Sequence, residues 1–338
     1  MAAFNTTRYG AERAELGDQE IVVLNDRGGH RRLRIARHGA ALLGFEVPFG
    51  GGARDLAAGY RDAAEVLGRP GSRFAIMAPF AGRIADARYH FDGRSQDLQP
   101  GVVGAERASR HGFVRDVEFE IDALTADDDA AQVQLSTCAI RPQPGYPYAI
   151  DLRLSYTLDA AGLTLEARMR NVGKQAAPCF FGWHPYFRLA DDSLVDDWQL
   201  QIPAQTLIRT DAQLIALSGA AAYVALDDAP ALDFREPRRI GDSIIDQGYT
   251  DLEADDDGRI RTRLRDPASG LGIAVWQERG VMHAFTADTV SRDVRRAIAL
   301  EPMECMANAF NRPECAAAIR LEAGAERSFR CGVEVEYA

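Results

Sequence analysis

The sequence predicts an all-β chain, folded as one large antiparallel sandwich domain over residues 1–338. Three observations lead there. Apolar and polar residues alternate with period two in segment after segment, which is the pattern of strands with one buried face. Helical periodicity is nearly absent. Runs rich in Asp, Gly and Pro fall between the alternating segments, where turn chemistry puts them.

In chain order, the first alternating stretch is 33–37. Gly50, Gly51 and Gly52 lie in a turn at 49–54, without the strand–turn–helix order of a phosphate-binding loop. Residues 60–68 predict a short helix of about two turns, stopped by Gly68 and Pro70. Strands are expected at 117–123 and 132–139, on either side of the acidic turn 127–129, with a further turn at 141–146. Ile150, Leu152, Leu154, Tyr156 and Leu158 then alternate with Asp151, Arg153, Ser155 and Thr157. After Asp159-Ala160-Ala161-Gly162, Leu163, Leu165, Ala167 and Met169 alternate with Thr164, Glu166, Arg168 and Arg170. Together they predict a hairpin with one wet face. The turn at 255–258 has the acidic character of a calcium loop but neither EF-hand spacing nor the closing Glu. Strands follow at 259–264 and Leu271–Gln277, and Phe329, Cys331, Val333 and Val335 are spaced for a last one.

Composition narrows the function. A hydrophobic fraction of 46% supports a sizeable core. The net charge of -11 argues against non-specific nucleic-acid binding, which draws on clustered Lys and Arg. Cys138, Cys179, Cys305, Cys315 and Cys331 are an odd, scattered set without C-x-x-C, so reduced core thiols are expected, not disulfides or structural zinc. Residues 1–8 lack the basic-then-apolar order of a signal peptide. No apolar run approaches the ~20 residues of a membrane span. The expected compartment is the cytoplasm.

Three segments differ from plain strand and turn. In Phe181-Gly182-Trp183-His184-Pro185-Tyr186-Phe187, the proline holds His184 extended among aromatic rings. An imidazole titrates near neutrality, so His184 suits proton transfer, and a core histidine bonded among aromatics fits the local sequence equally. In the run from Ala297 to Cys305, an apolar strand meets Glu301 before Pro302; a carboxylate there is either the strand's wet end or a group with chemical work. His111 precedes Gly112, which permits a tight turn presenting the ring at a rim, although loop histidines are common. Arg83 follows a turn and reads locally as surface. His283 shares a strand face with Val281 and Phe285, in a core or lining a pocket. A His and a Glu from distant parts of a β-fold suggest general acid–base chemistry.

These segments, in order, resemble the aldose 1-epimerase (galactose mutarotase) family from about Gly39 to the C-terminus. Pro79-Phe80-Ala81-Gly82-Arg83-Ile84-Ala85 with Tyr89-His90-Phe91-Asp92-Gly93 is similar to its Asn-Arg-Ile segment and following hairpin. His111-Gly112 and the His184 segment resemble its two His motifs. Leu232-Asp233-Phe234-Arg235 and Ile245-Asp246-Gln247-Gly248-Tyr249 resemble its two Asp motifs, and Glu301-Pro302-Met303 through Ala309-Phe310-Asn311 its glutamate segment. The resemblance implies a twisted β-sandwich with a sugar cleft, in which Glu301 is the base and His184 the acid on opposite sides of the sugar. It implies that His111, Arg83 and Asp246 hold hydroxyls, with Asp251 close enough to compete for the last role. It implies no metal and no organic cofactor, an aldohexose as the partner, and a monomer or homodimer. Gly82 stands where many members have Asn, Met306-Ala307 replaces a Pro-rich stretch, and Phe119 is the candidate for an aromatic residue after the first His-Gly.

Rival readings are a glycosidase using Glu301 with Glu304 or Asp246, a carbohydrate-binding protein without turnover, and a hexose-phosphate mutarotase with a cationic cluster at Arg83 and Arg110.

Overall fold

A computed structural model describes residues 7–337 apart from 105, 106 and 108. The opening residues 1–6, part of the stretch that lacks a signal-peptide pattern, lie outside the described residues. All named strand pairs are antiparallel and gather mainly into three sheets. The first is five-stranded, with Tyr9–Leu16, Gln19–Asp26, Arg31–Ala36, Leu42–Phe49 and Gly52–Asp55 in sequence order.

The second sheet is nine-stranded. At its centre the predicted hairpin forms from Ile150–Asp159 and Gly162–Asn171, with Leu154 opposite Ala167 and Leu158 opposite Leu163. Asp159 Oδ1 accepts from the amides of Ala161 and Gly162 and so fixes the two-residue turn. The C-terminal strand Glu326–Tyr337 runs between Gly162–Asn171 and Leu271–Gln277. Leu271–Gln277, expected to have a wet face, is buried throughout. One face packs on Ile298–Met303 of the third sheet, and on the other the Arg259 guanidinium lies 4.4 Å from the Trp276 ring.

The third sheet is eight-stranded and carries the candidate site. Its order is Tyr223–Ala225, Ala204–Ile208, Asp246–Leu252, Val281–Phe285, Ile298–Met303, Gly182–His184 and Ala75–Met77, with Tyr186–Phe187 also paired to Ile298–Met303. Side chains on one face pack into a continuous apolar core that includes Leu152, Leu165, Ile273, Ile298, Leu300 and Val333. The other face lines a cleft.

Several expectations shift. The strand expected at 117–123 begins at Glu120, and its register breaks between Ile121 and Ala123. The helix expected at 60–68 is Ala63–Gly68, capped by the Asp62 carboxylate on the Glu65 amide. Its left-handed terminal residue is Arg69 (φ 53°), not Gly68. At 255–258 the carboxylates of Asp255 and Asp257 are taken by Arg261, 3.0 and 2.7 Å away, which leaves them to an ionic ladder. Cys179, Cys305, Cys315 and Cys331 are buried, whereas Cys138 is exposed because it lies on the outer face of its strand. Among the described residues, no helix is long and apolar enough to cross a membrane.

Candidate active site

Alternation along the third sheet sends His283 and Phe285 from one strand, and Glu301 and Met303 from the next, into the same cleft. His283 and Glu301 are directly opposite in the ladder. His184 ends the neighbouring strand, and Tyr186 follows it beyond Pro185. Asp246 enters from the far side on Asp246–Leu252. The floor is thus made of strands, which hold side chains more rigidly than loops do. The cleft measures about 560 Å³, within the range of small-molecule sites.

Glu301 Oε1 lies 3.3 Å from His184 Nε2, and the residues are only 4% and 6% exposed. This contact corrects the expectation that the two flank a sugar from opposite sides, because groups so close approach a ligand from the same side. Burial pushes the Glu301 carboxyl up to about 8, against the pull of His283. Burial likewise lowers His184 to about 3, with the charge of His283 acting the same way. Near neutral pH the pair therefore holds one proton. The His184 ring stacks on Tyr186, with centroids 5.1 Å apart and planes at 13°. The Tyr186 hydroxyl donates to the Gly71 carbonyl, 3.1 Å away, which fixes the stack from below.

His283 Nε2 is 2.9 Å from Asp246 Oδ1. Burial works against a charged His283 ring, but the Asp246 hydrogen bond and the field of Glu301 outweigh it and raise its pKa. Asp246 is held below the usual carboxylate range for the complementary reason: burial opposes ionisation, and His283 more than offsets it. The result is a charged pair beside a pair that shares one proton.

The wall comes from loops laced together by backbone bonds. Arg83–Ile84 pairs with Ser109–Arg110, so that Arg110 stands opposite Arg83. The His111 amide donates to the Gly82 carbonyl at 2.9 Å and the Phe113 amide to the Ala78 carbonyl at 2.8 Å. Gly112 makes this crossing possible: its φ is +67°, and a Cβ there would stand 1.9 Å from the Ala78 oxygen. The turn brings the His111 ring to 5.3 Å from His184. Burial, then the charges of His184, Arg115, Arg110 and Arg83, keeps His111 well below its ordinary pKa and therefore neutral. Among the described residues, His111 Nδ1 and His184 Nδ1 are buried without a hydrogen-bond partner.

The structure thus brings Glu301, His184, His111, Arg83 and Asp246 to one cleft. Asp251, on the same strand as Asp246, is exposed and does not line it. Phe119 is a fully buried core residue; the aromatic rings in the cleft are Tyr186 and Phe285. Glu304 cannot pair with Glu301 in a glycosidase-like dyad. Its carboxylate accepts from the Phe181 amide and meets Arg279 and Arg327 instead. Gly82 and Ala307, two separate departures from the family pattern, touch each other: a Cβ on Gly82 would lie 2.6 Å from the Ala307 Cβ. Sequence reading left His283 between core and pocket and missed Arg115; the strand-face spacing of His283 with Phe285 was the available signal for the first.

Known proteins resemble this chain in sequence and in fold. A family model described as aldose 1-epimerase matches residues 20–334. The uncharacterized protein YihR of Escherichia coli K12 is 28% identical over 239 residues, 70% of this chain and 71% of its own. Human galactose mutarotase is 26% identical over 266 residues, 76% of this chain and 75% of its own. The crystal structure of a galactose 1-epimerase from Lactobacillus acidophilus superposes with a TM-score of 0.80 at 16% identity, covering 98% of this chain and 100% of that one. A GalM/aldose epimerase homologue from C. elegans gives 0.79 at 16% identity, covering 92% and 97%. At such identities the structural likeness is one of fold.

Proposed function

We propose that this chain, which belongs to the aldose 1-epimerase family, is a mutarotase that interconverts the α and β anomers of an aldose. The observation carrying this reading is the buried contact of 3.3 Å between Glu301 and His184 on the cleft floor.

Anomer exchange needs a base for the C1 hydroxyl proton and an acid for the ring oxygen. With the pair's proton on His184, the Glu301 carboxylate takes the hydroxyl proton while the imidazolium protonates the ring oxygen. The bond from C1 to the ring oxygen breaks as the C1 carbonyl forms. Rotation about C1–C2 presents the other carbonyl face. Closure returns one proton to the new C1 hydroxyl and the other to His184, so that the site ends as it began. In the sugar-free site the proton rests on Glu301, and its transfer across the contact readies the acid. His283, charged beside Asp246, pulls Glu301 towards the ionised form that the base requires. Asp246, His111 and Arg83 are the groups for sugar hydroxyls, all three lining the cleft. Cytoplasmic location belongs to the same reading.

The test is polarimetry of freshly dissolved α-D-glucose and α-D-galactose with wild-type protein and with Glu301→Gln. Acceleration by the wild type alone supports the assignment. Equal rates with the two proteins overturn it, and sugar binding without acceleration identifies a carbohydrate-binding protein instead.

A further inference from the structure

The cleft wall carries more positive charge than a neutral sugar requires. Arg69, Arg83, Arg110 and Arg115 all line the cleft. Arg69 is matched by Asp116. Among the described residues, no carboxylate forms an ion pair with Arg83, Arg110 or Arg115. Scarcity of acid does not explain this, because the chain has 50 acidic residues against 39 basic ones. Several buried or half-buried arginines elsewhere find partners: Arg107 meets Asp86 and Asp97, Arg295 meets Asp196 and Asp288, and Arg312 meets Glu314, whereas in the wall Arg83 and Arg115 are half-buried and Arg110 is exposed.

Three details sharpen the point. Arg110 stands directly opposite Arg83 in the ladder, and like charges in that relation destabilise a strand pair. Arg115 is aimed and anchored, its guanidinium donating to Ser72 Oγ at 2.9 Å and to the Arg110 carbonyl at 3.0 Å. Its Nε is buried without a partner among the described residues. The nearby acids offset this wall only in part: Asp246 acts on Arg83 and Asp116 on Arg115 through space, but Asp246 gives its hydrogen bond to His283 and Glu301 lies against His184. A guanidinium does not lose its charge at any working pH, so this wall is balanced by water at the exposed Arg110 until a ligand anion replaces it.

We infer that the substrate is an aldose carrying an oxyanion remote from its anomeric carbon, held by Arg110 and Arg115 with Arg83 beside them. The inference rests on the mutarotase reading and narrows its substrate class. A phosphate, a sulfate or sulfonate, and a carboxylate each present two oxygens side by side to a guanidinium fork. Arg110 and Arg115 stand on the loop wall and Glu301 and His184 on the strand floor, so an oxyanion at the wall leaves C1 and the ring oxygen to the floor.

Anomer exchange of D-glucose, glucose 6-phosphate, glucose 6-sulfate and glucuronate is to be followed by exchange NMR with wild type, Arg110→Gln, Arg110→Lys and Glu301→Gln. At least one charged sugar is expected to exceed glucose in kcat/KM by about tenfold or more, the scale of one charge-assisted contact. Arg110→Gln should reduce that ratio about tenfold, mainly through KM, Arg110→Lys by less, and added salt should weaken it further. The preferred sugar identifies the oxyanion. Arg110 is exposed, which protects the fold, and Arg115→Gln serves as an independent second variant. Glucose turned over as well as every charged sugar, or a ratio unmoved in both variants, overturns the inference while the mutarotase reading stands. No sugar accelerated beyond Glu301→Gln overturns both.

Discussion

His283 faces Glu301 across the strand ladder while its Nε2 reaches Asp246 at 2.9 Å, so one imidazole stands between two carboxyl groups of the cleft. With His184 in contact on the other side of Glu301, the four side chains form one titrating network on a rigid floor.

The first consequence concerns Glu301 itself. Glu301→Gln keeps the shape but removes the base, and polarimetry should show kcat/KM falling by about 10²–10⁴-fold. Retained turnover would move the base elsewhere.

The pH profile follows from the shared proton. The active pair holds one proton, and Glu301 loses it as pH rises through about 8. kcat/KM should therefore be flat near neutrality and fall on the alkaline side with an apparent pKa of about 8. A limb that rises with pH in that region would contradict the shared-proton state.

The charge on His283 tests the network. Its field favours the ionised form of Glu301, so His283→Gln should raise the pKa of Glu301. The alkaline limb then moves to higher pH, and kcat falls because Asp246 loses its partner. A lower kcat with an unmoved limb would indicate a merely structural role.

The same raised carboxyl affects stability. A group whose folded pKa exceeds its unfolded one stabilises below the unfolded pKa, and that contribution is lost as pH rises to the folded value. For Glu301 the window runs from 4.5 to about 8. Scanning calorimetry should find Glu301→Gln more stabilising relative to wild type at the upper end of that window than at the lower. Equal Tm differences at both ends would refute the shift.

Gly112→Ala should destabilise the fold by at least about 2 kcal/mol in urea unfolding and disrupt His111, because left-handed backbone and a clash act together. Gly50→Ala is the control. Its φ of +60° meets open space, and it should cost only about 1 kcal/mol.

The sequence revealed those parts whose signal is local. The hairpin from Ile150 to Asn171 was legible because its outer face is wet and the period survives. Gln19–Asp26 was not, because Ile21, Val22, Val23 and Leu24 are all buried and leave no alternation. Glu301 and His184 stood out as polar groups in apolar surroundings. Their shared proton did not, since it depends on burial and on a contact between strands more than a hundred positions apart in the chain. The wall of Arg83, Arg110 and Arg115 was half visible: the first two could be named and Arg115 could not, and their convergence and lack of ion-pair partners among the described residues exist only in the fold.

Gly82 and Ala307 compete for one volume beside the cleft. Substitutions at the two positions therefore cannot be independent steps. Asparagine at 82 meets the methyl of Ala307 if it arrives first, whereas Ala307→Gly first opens the space that it needs. The order of mutation decides which route between this wall and an asparagine-bearing one stays open, and the shape of the cleft is inherited as a pair of residues rather than one at a time.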